Sequence, residues 1–142
     1  MEIREARTTD YPAIGKLIRN ELGYQQLDIE KLYARLDIMK SDKNHITIVG
    51  EEDGKVVGFT GILRCIAYNV DGECIQIIAM AVQKEHQNKG IGSKLLGWVA
   101  AYAAQNDIQR IALNSRLQRT DAHAFYEKNG YQKKSYGFYK DV

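Results

Sequence analysis

Residues 80–94 read MAVQKEHQNKGIGSK and lie where a predicted strand passes into a predicted helix that opens at Gly90. Glycine at such a junction lets the backbone approach a ligand. The unpaired amides of a first helical turn and the helix dipole favour negative charge. Lys89 and Lys94 add local positive charge, and Ser93 adds a hydroxyl donor. We therefore predict that this segment binds phosphate.

Two glycines in such a segment are also consistent with a turn that only starts a helix. The common nucleotide motifs do not fit the segment. A dinucleotide-binding loop needs a third glycine where Leu95 stands, and a P-loop ends in Gly-Lys-Ser/Thr, which is absent here. The strands and helices along the rest of the chain are therefore needed to distinguish a phosphate-binding loop from a simple turn.

Hydrophobic periodicity predicts strands and helices along the whole chain. The predicted strands are Glu2–Ala6, His45–Val49, Lys55–Ile66, Glu73–Val82, Ile108–Leu113 and Tyr131–Tyr139. The predicted helices begin after Thr8 or Thr9, after Asp28 and at Gly90, and a last one spans Thr120–Asn129. Turns at Asp53-Gly54 and Asp71-Gly72 make the middle strands an antiparallel meander. The unit from Ile75 to Leu113 is most simply a right-handed crossover between parallel strands.

A second motif follows near the carboxyl end, where residues 122–131 read AHAFYEKNGY. Together with the strand ending in valine and the Gln-x-x-Gly-x-Gly segment, it resembles the GNAT superfamily of acyl-CoA-dependent N-acetyltransferases. The resemblance implies an α+β fold, an α/β/α sandwich. Its mixed, mostly antiparallel sheet would have a central parallel strand pair, with helices on both faces. It also implies that residues 1–142 form a single N-acetyltransferase domain.

The resemblance implies acetyl-CoA as the acyl donor and a small-molecule or peptide amine as the acceptor, attacked directly in a ternary complex. Tyr126 takes the position of the general acid that protonates the departing thiolate. No metal is implied, and a homodimer is an allowed assembly. The implied cofactor-binding residues are Met80, Ala81, Val82, Gln87, Asn88, Lys89, Gly90, Ile91, Gly92, Ser93, Asn114 and Arg119.

Three positions depart from the family pattern. Gln83 replaces a proline, and Arg119 replaces an asparagine that contacts pantetheine. Gln76 stands where some members carry a glutamate base, and an amide cannot accept a proton near neutral pH. The general base is therefore not assigned. The candidates are a water chain and the carboxylates of Glu21, Asp28 and Glu73.

Alternatives remain for Tyr126 and for the whole chain. Tyr126 is one of nine tyrosines, and a helix tyrosine ordinarily packs its ring on a sheet. No catalytic role is assigned to the three histidines. The rival function is a catalytically silent module that binds acyl-CoA as a sensor or partner domain, which Gln76 favours weakly.

Composition limits the other function classes. A net charge of +2 over 142 residues provides no field that would recruit nucleic acid. No apolar run approaches the roughly 20 residues that span a bilayer, so no membrane association is expected. The amino terminus lacks the pattern of a signal peptide, which predicts a cytoplasmic protein.

Cys65 and Cys74 lack a metal-ligand spacing and are expected to be reduced. With Asp71-Gly72 as the hairpin tip, Cys74 would face Asn69 and Cys65 would face Ile78. That offset predicts that the two thiols are not bonded to each other.

Overall fold

The computed structural model describes residues 1–142 and divides into two compact units, Met1–Ala112 and Leu113–Val142. The strands are β1 (Glu2–Glu5), β2 (His45–Glu52), β3 (Lys55–Ile66), β4 (Glu73–Val82) and β5 (Arg110–Leu113). The helices are α1 (Tyr11–Glu21), α2 (Ile29–Ser41), α3 (Ile91–Gln105) and α4 (Thr120–Lys128). Short 3-10 turns cover Thr8–Asp10 and Lys84–His86.

The sheet has five strands in the order β1-β2-β3-β4-β5. The first four pair antiparallel, and β4 pairs parallel with β5, which confirms the mixed, mostly antiparallel sheet. The parallel pair lies at one end of the sheet order rather than at its centre, because no strand follows β5.

The predicted last strand, Tyr131–Tyr139, is wrong. These residues form no helix or strand, and residues 132–142 are all exposed. Aromatic residues raise strand propensity, but a strand is stabilised by its neighbours in the sheet. In this structure the segment has no such neighbour.

Helices cover both faces of the sheet. Val49, Phe59 and Ala81 pack against α1 and α2 in one buried cluster. Gly58 points to the opposite face, because successive strand residues alternate. A Cβ atom built at Gly58 would lie 3.3 Å from the Leu95 side chain, so α3 packs closely on that face. This contact holds the first turns of α3 against the strands.

The start of α1 differs from the prediction. Neither Thr8 nor Thr9 caps the helix; both lie in a 3-10 turn, and α1 begins at Tyr11. Asp10 organises the turn instead, because its carboxylate accepts the Arg7 backbone N–H at 2.7 Å and two guanidinium hydrogen bonds from Arg4. The amino end of α1 therefore has no side-chain cap, and a buried carboxylate stabilises the turn before it.

Asp10→Asn should lower the free energy of unfolding by about 2 kcal/mol at pH 7, because it removes the charge from hydrogen bonds to Arg4. The Arg4 bonds hold the pKa of Asp10 below its usual range. The ionised carboxylate therefore stabilises the fold above the unfolded-state pKa, and this contribution disappears as the pH falls through the folded-state pKa. Urea melts should show that wild-type stability falls more than that of the variant below about pH 4.

The control for that prediction is Glu51→Gln. Glu51 accepts one bond from Arg4, at 3.0 Å, and its side chain is 26% exposed, so a smaller loss is expected. Equal losses for the two variants would contradict the special role of Asp10.

Thr60 is fully buried on β3, and its hydroxyl has no hydrogen-bond partner. Thr60→Val keeps the shape and removes the unpaired hydroxyl, so it should raise the free energy of unfolding by about 1 kcal/mol. The measurement is a urea melt. Thr47→Val on β2 is the control, because Thr47 is only half-buried and should change stability little. Destabilisation by Thr60→Val would show that the hydroxyl is satisfied in solution.

The predicted register of the two cysteines is wrong. Cys65 lies directly opposite Cys74, not opposite Ile78. Strand β3 ends at Ile66 and β4 begins at Glu73, so the connection is the wider loop 67–72 rather than a tight turn. Both thiols are free in the structure.

Candidate functional site

A β-bulge bends β4 just before the predicted cofactor residues. The pairing with β3 shifts between Gly61 and Ile62, which leaves Ile78 of β4 without a partner. A bulge of this kind bends its strand and interrupts the ladder. Beyond it, Met80 lies opposite Thr60 of β3. Residues Met80, Ala81 and Val82 thus form a short end of the strand beyond the bulge, still paired with β3.

The segment after β4 folds back on the strand end. The Gln87 side-chain amide donates to the Val82 carbonyl at 3.0 Å, and the Gln83 N–H donates to the Val57 carbonyl at 2.7 Å. The first bond connects the predicted loop to the end of β4, and the second connects the residue after β4 to β3. Asn88 and Gly90 both have positive φ, 65° and 80°, which turns the chain into α3.

The first turn of α3 presents unbonded amides. Its first helical hydrogen bond runs from the Lys94 N–H to the Gly90 carbonyl, at 3.0 Å. The amides of Ile91, Gly92 and Ser93 therefore have no acceptor within the helix. A Cβ atom at Gly90 would meet nothing within 4 Å, so the turn is open on that side. Backbone amides, an open approach and the helix dipole suit an anion such as phosphate.

The exposed lysines Lys89 and Lys94 lie in and just after this loop. A separate contact involves the residues that directly follow β4: the backbone N–H of Lys84 donates to the Glu21 carboxylate at 3.0 Å. This bond links the carboxyl end of α1 to the residues that follow β4. Sequence reasoning named Glu21 as a candidate base but had no signal for this contact, which joins residues far apart in the chain.

The other candidate bases lie in less suitable places. Glu73 accepts two bonds from the Arg64 guanidinium, at 2.9 and 2.6 Å. That pairing holds the pKa of Glu73 below its usual range, so it is a weak proton acceptor. Asp28 caps α2, as predicted, by accepting the Lys31 N–H at 3.2 Å. Gln76, opposite Leu63, carries no acid or base.

The second unit carries Tyr126 on α4. Its ring centroid lies 5.4 Å from that of Phe125 and 6.0 Å from that of Tyr131, both in edge-on arrangements. Burial raises the pKa of the Tyr126 hydroxyl above its ordinary value, and the charge of Arg119 acts in the opposite direction. The phenol is therefore protonated at neutral pH, as a proton donor must be. Tyr131, which sequence reasoning did not single out as a site residue, packs against it.

The remaining residues of the second unit lie around the start of α4. Arg119 is exposed at the position preceding the helix, and its carbonyl accepts the His123 N–H at 3.1 Å. The His123 ring is within 2.8 Å of the Arg116 carbonyl, a structural contact. Asn114 is exposed and lies beside Gly137, where an added Cβ atom would be 3.6 Å from its side chain.

Each unit thus brings part of the predicted set together. In the first unit, the end of β4 and residues 87–93 adjoin through the Gln87 bond to Val82. In the second unit, Tyr126 and Arg119 interact electrostatically. The structure contains no cluster of three or more His, Cys, Asp or Glu residues arranged to hold a metal ion. None of its helices is long and apolar enough to cross a membrane.

Comparison with known proteins gives a consistent family. The model of the acetyltransferase (GNAT) family matches residues 2–131. An uncharacterized N-acetyltransferase of Bacillus subtilis (strain 168), YhfO, is 30% identical over 135 residues, which are 93% of this chain and 90% of the relative. The aminoalkylphosphonate N-acetyltransferase of Salmonella typhimurium is 29% identical over 98% of this chain and 90% of its own.

A solved structure has nearly the same fold. The crystal structure of a transcriptional regulator from Bacillus halodurans C-125 superposes with a TM-score of 0.91 at 26% identity, over 99% of both chains. The name of that neighbour differs from those of the sequence relatives.

Proposed function

The chain belongs to the acetyltransferase (GNAT) family, and from that premise we propose that it transfers an acetyl group from acetyl-CoA to a primary amine. The amine attacks the thioester directly, within a ternary complex of enzyme, acetyl-CoA and acceptor. One observation carries the proposal: an open turn at Gly90 leads the bent end of β4 into a helix whose first amides are unbonded. We further propose that residues 1–142 act as one N-acetyltransferase domain.

The cofactor residues are assigned by segment. We propose that the pyrophosphate of acetyl-CoA binds the backbone amides of residues 87–93, with Lys89 adding charge. The backbone of Met80, Ala81 and Val82 would bind the pantetheine arm and polarise the thioester carbonyl. The interruption of the β3 ladder at Ile78 supports this role, because a bulge re-aims the backbone that follows it. Asn114 and Arg119 are proposed as further cofactor contacts.

The reaction needs a proton donor and a neutral amine. Tyr126 is proposed as the donor to the CoA thiolate, because of its position in the second motif and because its phenol is protonated at neutral pH. An amine with a pKa of about 10.4 is neutral in roughly one molecule in 2,500 at pH 7, a cost of about 4.6 kcal/mol. A base or a desolvating site must therefore assist. We propose Glu21, acting directly or through water, because its carboxylate lies beside the residues that follow β4.

The acceptor is proposed to be the amine of a small molecule or a peptide. The Salmonella relative acts, by its name, on aminoalkylphosphonates, which are small amines. That name supports a small-molecule acceptor for this chain.

The second candidate is a silent module that binds acyl-CoA without turnover. Gln76 favours it, because no carboxylate stands at that position. A thiol-release assay with acetyl-CoA and a panel of amino acids, polyamines, aminophosphonates and peptides tests the choice. Amine-dependent thiol release is expected. Binding of acetyl-CoA by calorimetry without release for any amine would favour the silent module, and no binding would overturn both.

A further inference from the structure

The two cysteines of the chain lie directly opposite each other on β3 and β4. The neighbouring Arg64 N–H donates to the Asn44 carbonyl, on the β2 side. Because peptide groups alternate in direction along a strand, the Cys65 N–H and carbonyl point towards β4. The cysteines therefore form a hydrogen-bonded antiparallel pair. Such pairs have Cα atoms about 5.5 Å apart, which is within the usual range for disulfides.

The side chains occupy one face of the sheet, because directly opposed residues point to the same side. The Cys65 Sγ lies 3.8 Å from the Cys74 carbonyl oxygen, so this thiol already extends to the partner strand. Cys65 is half-buried, while Cys74 is only 6% exposed. One thiol is accessible to a reagent in solution, and the other is accessible mainly to its neighbour.

We propose that Cys65 and Cys74 are an oxidant-responsive modification site, which forms a reversible disulfide between β3 and β4. The oxidant is a low-molecular-weight disulfide. The Cys65 thiolate attacks one of its sulfur atoms, which forms a mixed disulfide and releases the first small thiol. The Cys74 thiolate then attacks the Cys65 sulfur and releases the second. The protein loses two electrons and two protons, and the oxidant becomes two thiols.

The site is separate from the proposed cofactor segment. The cysteine pair lies next to the last pair of the hairpin, Ile66 and Glu73, whereas Met80 lies beyond the bulge at Ile78. The cross-link should therefore leave acetyl-CoA affinity nearly unchanged. Formation of the disulfide does not depend on acetyl transfer, so a negative result for either one leaves the other unaffected.

The test treats the folded, reduced protein with oxidised glutathione. The expected product is a monomer that has lost the mass of two hydrogen atoms, with no titratable thiol, and that is restored by dithiothreitol. Peptide mapping should find Cys65 linked to Cys74. Two thiols still free after prolonged treatment, or a product that stops at a mixed disulfide or a disulfide-linked dimer, would overturn the proposal.

Two variants test the order of attack. Cys74→Ala keeps the accessible thiol and removes the one that resolves the mixed disulfide, so it should accumulate one glutathione adduct on Cys65. Cys65→Ser leaves only the buried thiol and should react much more slowly. Circular dichroism checks that both variants are folded. Equal adduct formation by the two folded variants would overturn the assignment of Cys65 as the attacking thiol.

Discussion

Tyr126→Phe is expected to lower kcat by about 10²- to 10⁴-fold, the usual contribution of a positioned general acid. The substitution keeps the ring that packs edge-on against Phe125 and Tyr131 and removes only the hydroxyl. The acetyl-CoA dissociation constant should change little, because the lost interaction grows mainly in the transition state. Steady-state kinetics of thiol release and calorimetry of acetyl-CoA binding measure the two quantities.

Tyr131→Phe is the matched control. Its ring contacts that of Tyr126, and its hydroxyl has no assigned role, so kcat should stay within a few-fold of wild type. Full turnover by Tyr126→Phe, with chemistry shown to be rate-limiting, would transfer the acid role to water or to another residue. A similar loss in both variants would indicate that the pair acts through packing.

The raised pKa of Tyr126 has a consequence for the pH profile. The donor must carry its proton, and burial keeps it protonated beyond the pH at which an ordinary tyrosine ionises, about 10. Up to that pH, any rise in rate reports the amine or its base. Deprotonation of Tyr126 should therefore not limit the rate of the wild-type enzyme at neutral pH.

Gly90→Val is expected to weaken acetyl-CoA binding by about 10²-fold or more, because charge-assisted hydrogen bonds from the loop amides to the phosphates would be lost. Gly90 has a φ of 80°, a conformation that a β-branched residue strongly disfavours. The added side chain would also project into the open space beside the free amides of Ile91, Gly92 and Ser93. Calorimetry on the folded variant measures the loss.

Gly97→Val provides the same chemical change in the same helix. Gly97 is exposed and lies in the middle of α3, and an added Cβ atom there also meets nothing within 4 Å. Valine is no worse a helix former than glycine, so fold and affinity should be retained. Unchanged affinity in Gly90→Val would refute the placement of the phosphates, whereas a loss in both variants would indicate a general effect on α3.

The sequence supports local inferences about this protein most strongly. Strand β4, the loop after it and the helix opened at Gly90 are contiguous in the chain, so periodicity and turn chemistry identify them with nearly correct bounds. The Asp28 cap of α2 is local for the same reason. The family follows from two motifs of this kind, and the match over residues 2–131 confirms it.

The errors arise where a residue's state depends on a distant partner. Nothing local to Thr8 and Thr9 reveals that both fall in a 3-10 turn, whose Asp10 pairs with Arg4 of β1. Residues 131–139 have strand-forming side chains, yet pairing decides whether a strand forms, and no neighbour pairs with them. Glu73 is an ordinary carboxylate in the sequence and an arginine-bound one in the fold.

Sequence alone therefore determined the order of the elements from β1 to α4, the turn at Gly90 and the family, because each depends on neighbouring residues. Only the tertiary structure decided that Cys65 faces Cys74, that Glu21 reaches the residues after β4 and that Glu73 is held by Arg64. The physical reason is that each of these contacts depends on how separate elements pair or pack, and the cysteine register follows from the width of loop 67–72. One extra loop residue shifts every partner in the hairpin.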